Sequence, residues 1–437
     1  MTTELLDELV EWLRIPSVSA GARDEAALRA AAEWAAERVR AAGGAARLEP
    51  TPGGAPLVVG ELDAARGDAP TVLIYGHYDV QDPGDPGAWT TPPFAPAVRD
   101  GRVYGRGTSD DKGNFLPLLH TACELAAAGA LPVHVRVLIE GAEETGDDGV
   151  VRWVAADERG ADCAIAFDSA MLDADTPALT VAVRGNVFAT VEVRTGERTL
   201  HSGSFGGAAL NAFHALHAAL AAVLPGPDGR LPAPLRVGVE TPPAEELRGW
   251  SALPGGADLL AAVGARPADP GAAAEFHTRT TADASLDVHR IRGGSPRTIV
   301  PEVAQAELSL RLAPGQRVAE IAPAFEALLR GALPAGAELS MHVDSAEPAR
   351  FDPEAPAIAI ARRALARACG REPALVRSGG SLPVLAAFAD RGIPAILSGF
   401  ALLEDRIHAP DESFRLESLE LGRRAARALY EDLAALG

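Results

Sequence analysis

Thr71-Val72-Leu73-Ile74-Tyr75-Gly76-His77-Tyr78-Asp79-Val80 is an apolar run that ends in an imidazole and, two residues on, a carboxylate. An aliphatic, β-branched run of this length reads as a buried strand. A strand ending there delivers His77 to the carboxyl edge of a sheet, where open α/β folds place their sites. Two later blocks follow the same logic. Gly105-Arg106-Gly107-Thr108-Ser109-Asp110-Asp111-Lys112-Gly113 sets adjacent carboxylates in a Gly-rich loop that opens a helix. Glu140-Gly141-Ala142-Glu143-Glu144-Thr145-Gly146 closes the apolar run from Val133 to Ile139 with adjacent glutamates. Ligands gathered from several strand ends and loops are how such folds build a metal centre.

Working outward, apolar spacing predicts helices at 4–14 and 24–42, the second ending at Gly43-Gly44. Strands are expected near 56–62, 71–76 and 133–140, with helices at 112–128 and 147–157. Strand–helix alternation of this kind implies an α/β sheet. The character changes near Arg184-Gly185. From there the pattern reads strand 187–195, helix 208–223, strand 284–291, strand 303–312, helix 317–330 and strand 337–344. That βαββαβ order is the ferredoxin-like pattern. The Pro-, Gly- and Ala-rich stretch 224–282 is too long for a plain loop, and short helices are expected near 244–250 and 257–264. From about 350 the α/β character returns, with a helix at 354–369 and a last helix at 414–435. The expected organisation is a discontinuous domain, 1–184 and 348–437, that carries these blocks, with residues 185–347 inserted.

The chain has 437 residues, enough for one or two domains that each bury a core. Its formal net charge of −20 argues against nucleic acid or an anionic membrane as partner, since both need a basic face. No apolar stretch approaches the roughly 18 residues of a membrane span. The N-terminus lacks a basic region followed by an apolar run, so no secretory signal is read and the cytoplasm is the expected location. Cys123, Cys163 and Cys369 lie far apart among apolar residues. They read as buried thiols in a reducing compartment, and no Cys-x-x-Cys pair points to a zinc site. No Gly-x-Ser-x-Gly elbow exists, which disfavours a serine hydrolase.

The order and spacing of the three blocks, together with Ile407-His408-Ala409-Pro410-Asp411-Glu412, resemble the M20 family of metallopeptidases. The family includes carnosinase-like dipeptidases, aminoacylases and related deacylases, and the resemblance runs nearly the whole length. It implies a mixed-sheet, zinc-peptidase-like catalytic domain with the inserted ferredoxin-like domain acting as lid and dimerisation element. It implies two divalent ions, zinc by preference, with manganese or cobalt compatible with the same mixed imidazole–carboxylate donors. Asp110 would bridge, His77 and Asp168 would complete one ion, and Glu144 and His408 the other. A cis peptide is implied between Asp110 and Asp111. Asp79 is the natural acceptor for the non-ligating N–H of His77. Glu143 would be the general base, taking a proton from the bridging water and delivering it to the leaving amine.

The block Thr199-Leu200-His201-Ser202-Gly203-Ser204-Phe205-Gly206-Gly207 looks like the lid segment of dimeric dipeptidases in the family. By that likeness His201 would reach the partner subunit's site and help hold the carbonyl oxygen. Arg311 would clamp the substrate's free carboxylate with its bidentate fork. Thr298 and the Ser378-Gly379-Gly380-Ser381-Leu382-Pro383 turn match substrate-contacting positions, Gly380 and Ser381 among them. Asp at position 168 favours the dipeptidase branch. The expected activity is therefore hydrolysis of dipeptides or short peptides with a free C-terminal carboxylate by a homodimer. An N-acyl or N-carbamoyl amino acid amidohydrolase with the same mechanism is the alternative. A metal-free binding homologue would require a broken ligand set, and all five ligands and the base are present.

Overall fold

The computed structural model describes residues 3–251 and 253–436. Met1 and Thr2, which begin the N-terminal stretch considered above, lie outside the described residues. The chain divides into two units. The first comprises residues 1–181, 351–376 and 387–437, and the second residues 182–350 and 377–386. The segment 377–386, expected in the discontinuous domain, groups with the second unit.

The first unit is built on a mixed sheet. Its strands lie in the order Ala45–Glu49, Leu57–Leu62, His134–Glu140, Thr71–His77, Cys163–Phe167, Ala395–Ser398 and Ala178–Val183. The strand Thr71–His77 is central and runs parallel to both neighbours, His134–Glu140 and Cys163–Phe167. Strands covered on both faces read as continuous apolar runs, and every residue of Cys163–Phe167 is buried. Parallel neighbours end at one edge, so His77, the turn after Glu140 and Asp168 emerge together. Helices Glu25–Ala41, Lys112–Ala127, Pro356–Cys369 and Leu416–Leu433 contribute to the core around the sheet. The Glu25–Ala41 helix is capped by Asp24, whose carboxylate accepts the N–H groups of Ala26 and Ala27. Its Leu28, Ala32, Ala35 and Val39 stripe is fully buried.

The second unit has a four-stranded antiparallel sheet in the order Ser285–Gly293, Val303–Leu312, Gly185–Arg194, Glu338–Ala346. Helices Ala212–Ala221 and Val318–Gly331 contribute to its core, and the elements follow the βαββαβ order read from the sequence. Gly185–Arg194 alternates buried and half-buried residues, so one sheet face carries Val187, Ala189, Val191 and Val193 into the core. The opposite face presents Asn186, Phe188 and Thr190. The long stretch after the first helix contains Ala244–Trp250, Gly256–Ala262 and Phe276–Thr281 as helices. Ion pairs of Arg230 with Glu275 and Asp283, and of Arg279 with Asp269, secure it.

The short strands Ala45–Glu49, Ala97–Arg99 and Arg102–Tyr104 escaped the sequence reading. They are brief and partly exposed, so neither apolar continuity nor clean alternation marks them.

Candidate metal centre

His77 closes its strand with its side chain fully buried. Nε2 lies 3.0 Å from Asp110 Oδ1. Nδ1 lies 3.0 Å from the backbone carbonyl of Asp79 and 3.3 Å from its Oδ1. The nearer acceptor is therefore the main chain of Asp79, while its carboxylate has wider duties. It accepts the Ser19 hydroxyl at 2.6 Å and the backbone N–H groups of Glu143 and Glu144 at 3.3 and 3.2 Å. Asp79 thus ties the end of one strand to the glutamate turn after the next.

The other oxygen of Asp110 lies 2.9 Å from His408 Nε2, and that nitrogen is 3.2 Å from Glu144 Oε2. Two clusters result: His77, Asp110 and Asp168, and Asp110, Glu144 and His408. Within each, the potential ligand atoms all lie within 4.8 Å of one another, and Asp110 belongs to both. Glu144 Oε1 is buried without a hydrogen-bond partner. Glu143 sits beside Glu144 on a short turn, Glu143–Thr145, and its carboxylate accepts no hydrogen bond among the described residues.

The electrostatics match a cation site. Burial, reinforced by Asp110 and Glu144 against the opposing pull of His77, pushes Asp168 up to about 7. Burial also drives Glu143 well above the usual carboxylate range, with Asp168, Asp110 and Glu144 adding to the effect. Burial would raise Asp110 as well, but its bonds to His408 and His77 hold it well below its ordinary value. The Asp110 and Glu144 carboxylates in turn raise His408 to about 10. Five carboxylates, Asp79, Asp110, Glu143, Glu144 and Asp168, surround two imidazoles. Divalent ions would neutralise that excess and satisfy the orphaned oxygen of Glu144, so the donor set fits them.

Local backbone chemistry sets this geometry. A Cβ at Gly76 would overlap the Phe115 ring and crowd the Asp111 carboxylate, so glycine lets helix Lys112–Ala127 approach the strand end. Asp111 Oδ2 then accepts the His77 N–H at 3.2 Å. The Asp110–Asp111 peptide is cis, as the resemblance implied. Arg406, His408 and Asp411 all adopt positive φ, an uncommon state for residues with a side chain. Asp411 helps anchor their loop by accepting the N–H and hydroxyl of Thr90 at 2.8 and 2.7 Å.

Glu412 has a role that the sequence alone does not disclose. It is completely buried. It accepts backbone N–H groups from Gly107, Ser109 and Asp110 at 3.0, 2.8 and 3.1 Å, and the Arg106 guanidinium at 2.6 Å. Sequence could flag it only as a carboxylate four residues after His408; the amides it meets lie three hundred residues earlier.

A sequence profile of peptidase family M20/M25/M40 matches residues 73–432. A cysteinylglycine-S-conjugate dipeptidase of Corynebacterium striatum is 31% identical over 398 residues, covering 88% of this chain and 85% of the relative. The chain belongs to the M20 peptidase family. A Cys-Gly metallodipeptidase of Schizosaccharomyces pombe is 27% identical, over 87% of this chain and 83% of its own. Among solved structures, an M20 family metallo-carboxypeptidase from Sulfolobus solfataricus superposes with a TM-score of 0.87 at 24% identity, covering 99% of this chain and all of that one. Human carnosine dipeptidase 1 gives 0.78 at 24% identity, covering 99% and 96%. These two likenesses establish the shared fold.

In this M20 peptidase the remaining candidates belong to the second unit. His201 is exposed at the end of a two-residue strand and pairs with Ile299, while the Thr298 carbonyl accepts the Ser202 N–H at 2.9 Å. His201 and Thr298 are thus neighbours. Arg311 lies directly across from Asn186 on one side and Ser285 on the other. It donates to Ser381 Oγ at 3.4 Å, and the Gly380 N–H donates to Ser378 Oγ at 3.1 Å. Among the described residues no helix is long and apolar enough to cross a membrane.

Proposed function

We propose that this metallopeptidase cleaves dipeptides, at the amide bond next to a free C-terminal carboxylate. The observation that carries the reading is the Asp110 carboxylate standing between His77 and His408, with Glu143 unpartnered beside it. The dipeptidase names of its relatives from Corynebacterium striatum and Schizosaccharomyces pombe support the substrate class. One divalent ion would be held by His77, Asp110 and Asp168, and a second by Asp110, Glu144 and His408, zinc in preference to manganese or cobalt. Such ions, when bound, supply Lewis acidity and lower the pKa of water.

The residues themselves divide the remaining work. Glu143 accepts the proton of the attacking water and returns it to the departing amine. Asp79 fixes the His77 ring and the glutamate turn in one register. Arg311, Ser381 and Gly380 hold the substrate carboxylate, with Thr298 contributing nearby. His201 acts across a homodimer formed through the inserted unit, stabilising the carbonyl oxygen as charge develops. The cysteines are free, Cys163 buried and Cys123 and Cys369 only partly so, rather than all buried as expected, and free thiols fit a cytoplasmic protein.

The test is purified protein reconstituted with zinc or manganese, analysed for metal and assayed on a dipeptide panel and an N-acyl amino acid panel. About two ions per chain and turnover of dipeptides are expected, with chelation abolishing activity. Full activity with one ion would overturn the dinuclear assignment. Turnover of the N-acyl panel alone would overturn the substrate assignment.

A further inference from the structure

The second unit contains a buried cation that the reaction outlined above leaves unused. Arg184 is 8% exposed. Its hydrogen bonds go to neutral oxygens: Nε to the Gly379 carbonyl at 3.0 Å, Nη1 to Ser285 Oγ at 3.0 Å and to the Arg279 carbonyl at 3.4 Å. Among the described residues no carboxylate forms an ion pair with it. Burying a guanidinium without a paired anion is costly, so its retention here calls for a reason.

The sheet register supplies one. Ser285, which Arg184 grips, lies directly opposite Arg311, and Arg311 lies directly opposite Asn186, two residues after Arg184. Directly paired residues project from the same face of a sheet. Arg184 and Arg311 also reach the same turn, one through the Gly379 carbonyl and the other through Ser381 Oγ. Arg311 likewise has no carboxylate partner among the described residues. The Asn186 amide oxygen is buried with no hydrogen-bond partner. Two guanidiniums, an unsatisfied amide and a Gly-Gly-Ser turn thus lie together; Asp283 and Asp287 are near enough to act on Arg184, but neither pairs with it, and Asp283 is held by Arg230 and Arg236. Burial and the charge of Arg311 together depress Arg184 to about 10 against the opposing pull of Asp287 and Asp283.

We propose that Arg184 is a positioning residue for substrate carboxylate recognition: it fixes the Ser378–Ser381 turn against Arg311 and adds a second, buried positive charge behind the anion site. A carboxylate bound there would offset the repulsion between the two guanidiniums. The inference rests on the assignment of Arg311 as the carboxylate clamp. It makes Arg184 a determinant of the preference for a free C-terminus over a capped one.

The experiment uses full-length, metal-loaded protein carrying Glu143→Ala, so that bound peptide persists, and calorimetric titration with glycylglycine and with its C-terminal amide. With Arg184 intact, the acid should bind at least about 10-fold more tightly than the amide. Adding Arg184→Met should weaken the acid about 10-fold and leave the amide within about twofold, while Arg184→Lys should recover part of the loss. Equal weakening of acid and amide would reduce Arg184 to a structural residue and overturn the proposal, as would no change in either. Should Arg184→Met destabilise the fold, Arg184→Lys alone decides: an acid-to-amide ratio unchanged from that of the Arg184 protein overturns it. Wild-type protein that prefers the acid yet hydrolyses no dipeptide would sink the peptidase reading and leave this one standing.

Discussion

The carboxylate of Glu412 accepts the backbone N–H of Asp110 at 3.1 Å, alongside those of Gly107 and Ser109. The loop that aims the shared carboxylate is therefore wrapped around a buried anion. Arg106 balances that anion from the same loop at 2.6 Å.

Replacing Glu412 by Ala should therefore weaken metal retention more than it alters chemistry. Partners behind metal ligands are worth about 10- to 100-fold in affinity. A chelator-competition titration measures this directly. Wild-type metal affinity in Glu412→Ala would show that the loop holds its shape without the anion.

Glu143→Ala should leave metal content near wild type and cut kcat by at least about 10²-fold, the usual scale for a lost general base. Elemental analysis beside steady-state kinetics separates the possibilities. Loss of metal with little kinetic change would make Glu143 a ligand.

Mixed dimers test the action of His201 across the subunit boundary. His201→Ala and Glu143→Ala homodimers should each be nearly inactive. A purified heterodimer of the two should regain one complete site and hence part of the activity. A dead heterodimer, or an active species that sediments as a monomer, rules the arrangement out.

Arg136 is 5% exposed and donates to both oxygens of Asp157, at 2.7 and 2.9 Å. Burial would raise Asp157, but the Arg136 bonds lower it below its ordinary value. A depressed carboxylate stabilises the fold above its unfolded-state pKa, near 4, and that contribution fades as pH drops through the lower folded value. Asp157→Asn should cost on the order of 2 kcal/mol at neutral pH. In urea unfolding, the gap between wild type and variant should narrow below about pH 4. A gap that is constant down to pH 3 would exclude the ion pair as its source.

Much of the first unit's sheet was legible because strands such as Thr71–His77 and Cys163–Phe167 carry unbroken apolar runs that stop at candidate ligands, although the equally buried Ala178–Val183 was not read as a strand. His77 and Asp168 are visible as strand ends in the sequence itself. The second sheet was legible for the opposite reason, since Gly185–Arg194 alternates cleanly. Glu412 and Arg184 were not legible in their roles. Each acts on backbone atoms distant in sequence, and a side chain's long-range amide or carbonyl partners leave no local pattern. Asp79 was half-read: its place beside His77 follows from spacing, whereas its hold on the Glu143 and Glu144 amides depends on two strands lying side by side.

The link between Asp110 and His408 spans 298 positions of the chain. A ribosome that has released this chain only as far as Leu333 has released His77, Asp110, Glu144 and Asp168, but neither His408 nor Glu412. The shared carboxylate then lacks one imidazole, and its loop lacks the anion it closes around. On the proposed ligand set, a product truncated before residue 408 would lack the imidazole of the second ion's site and the anion that shapes the Asp110 loop.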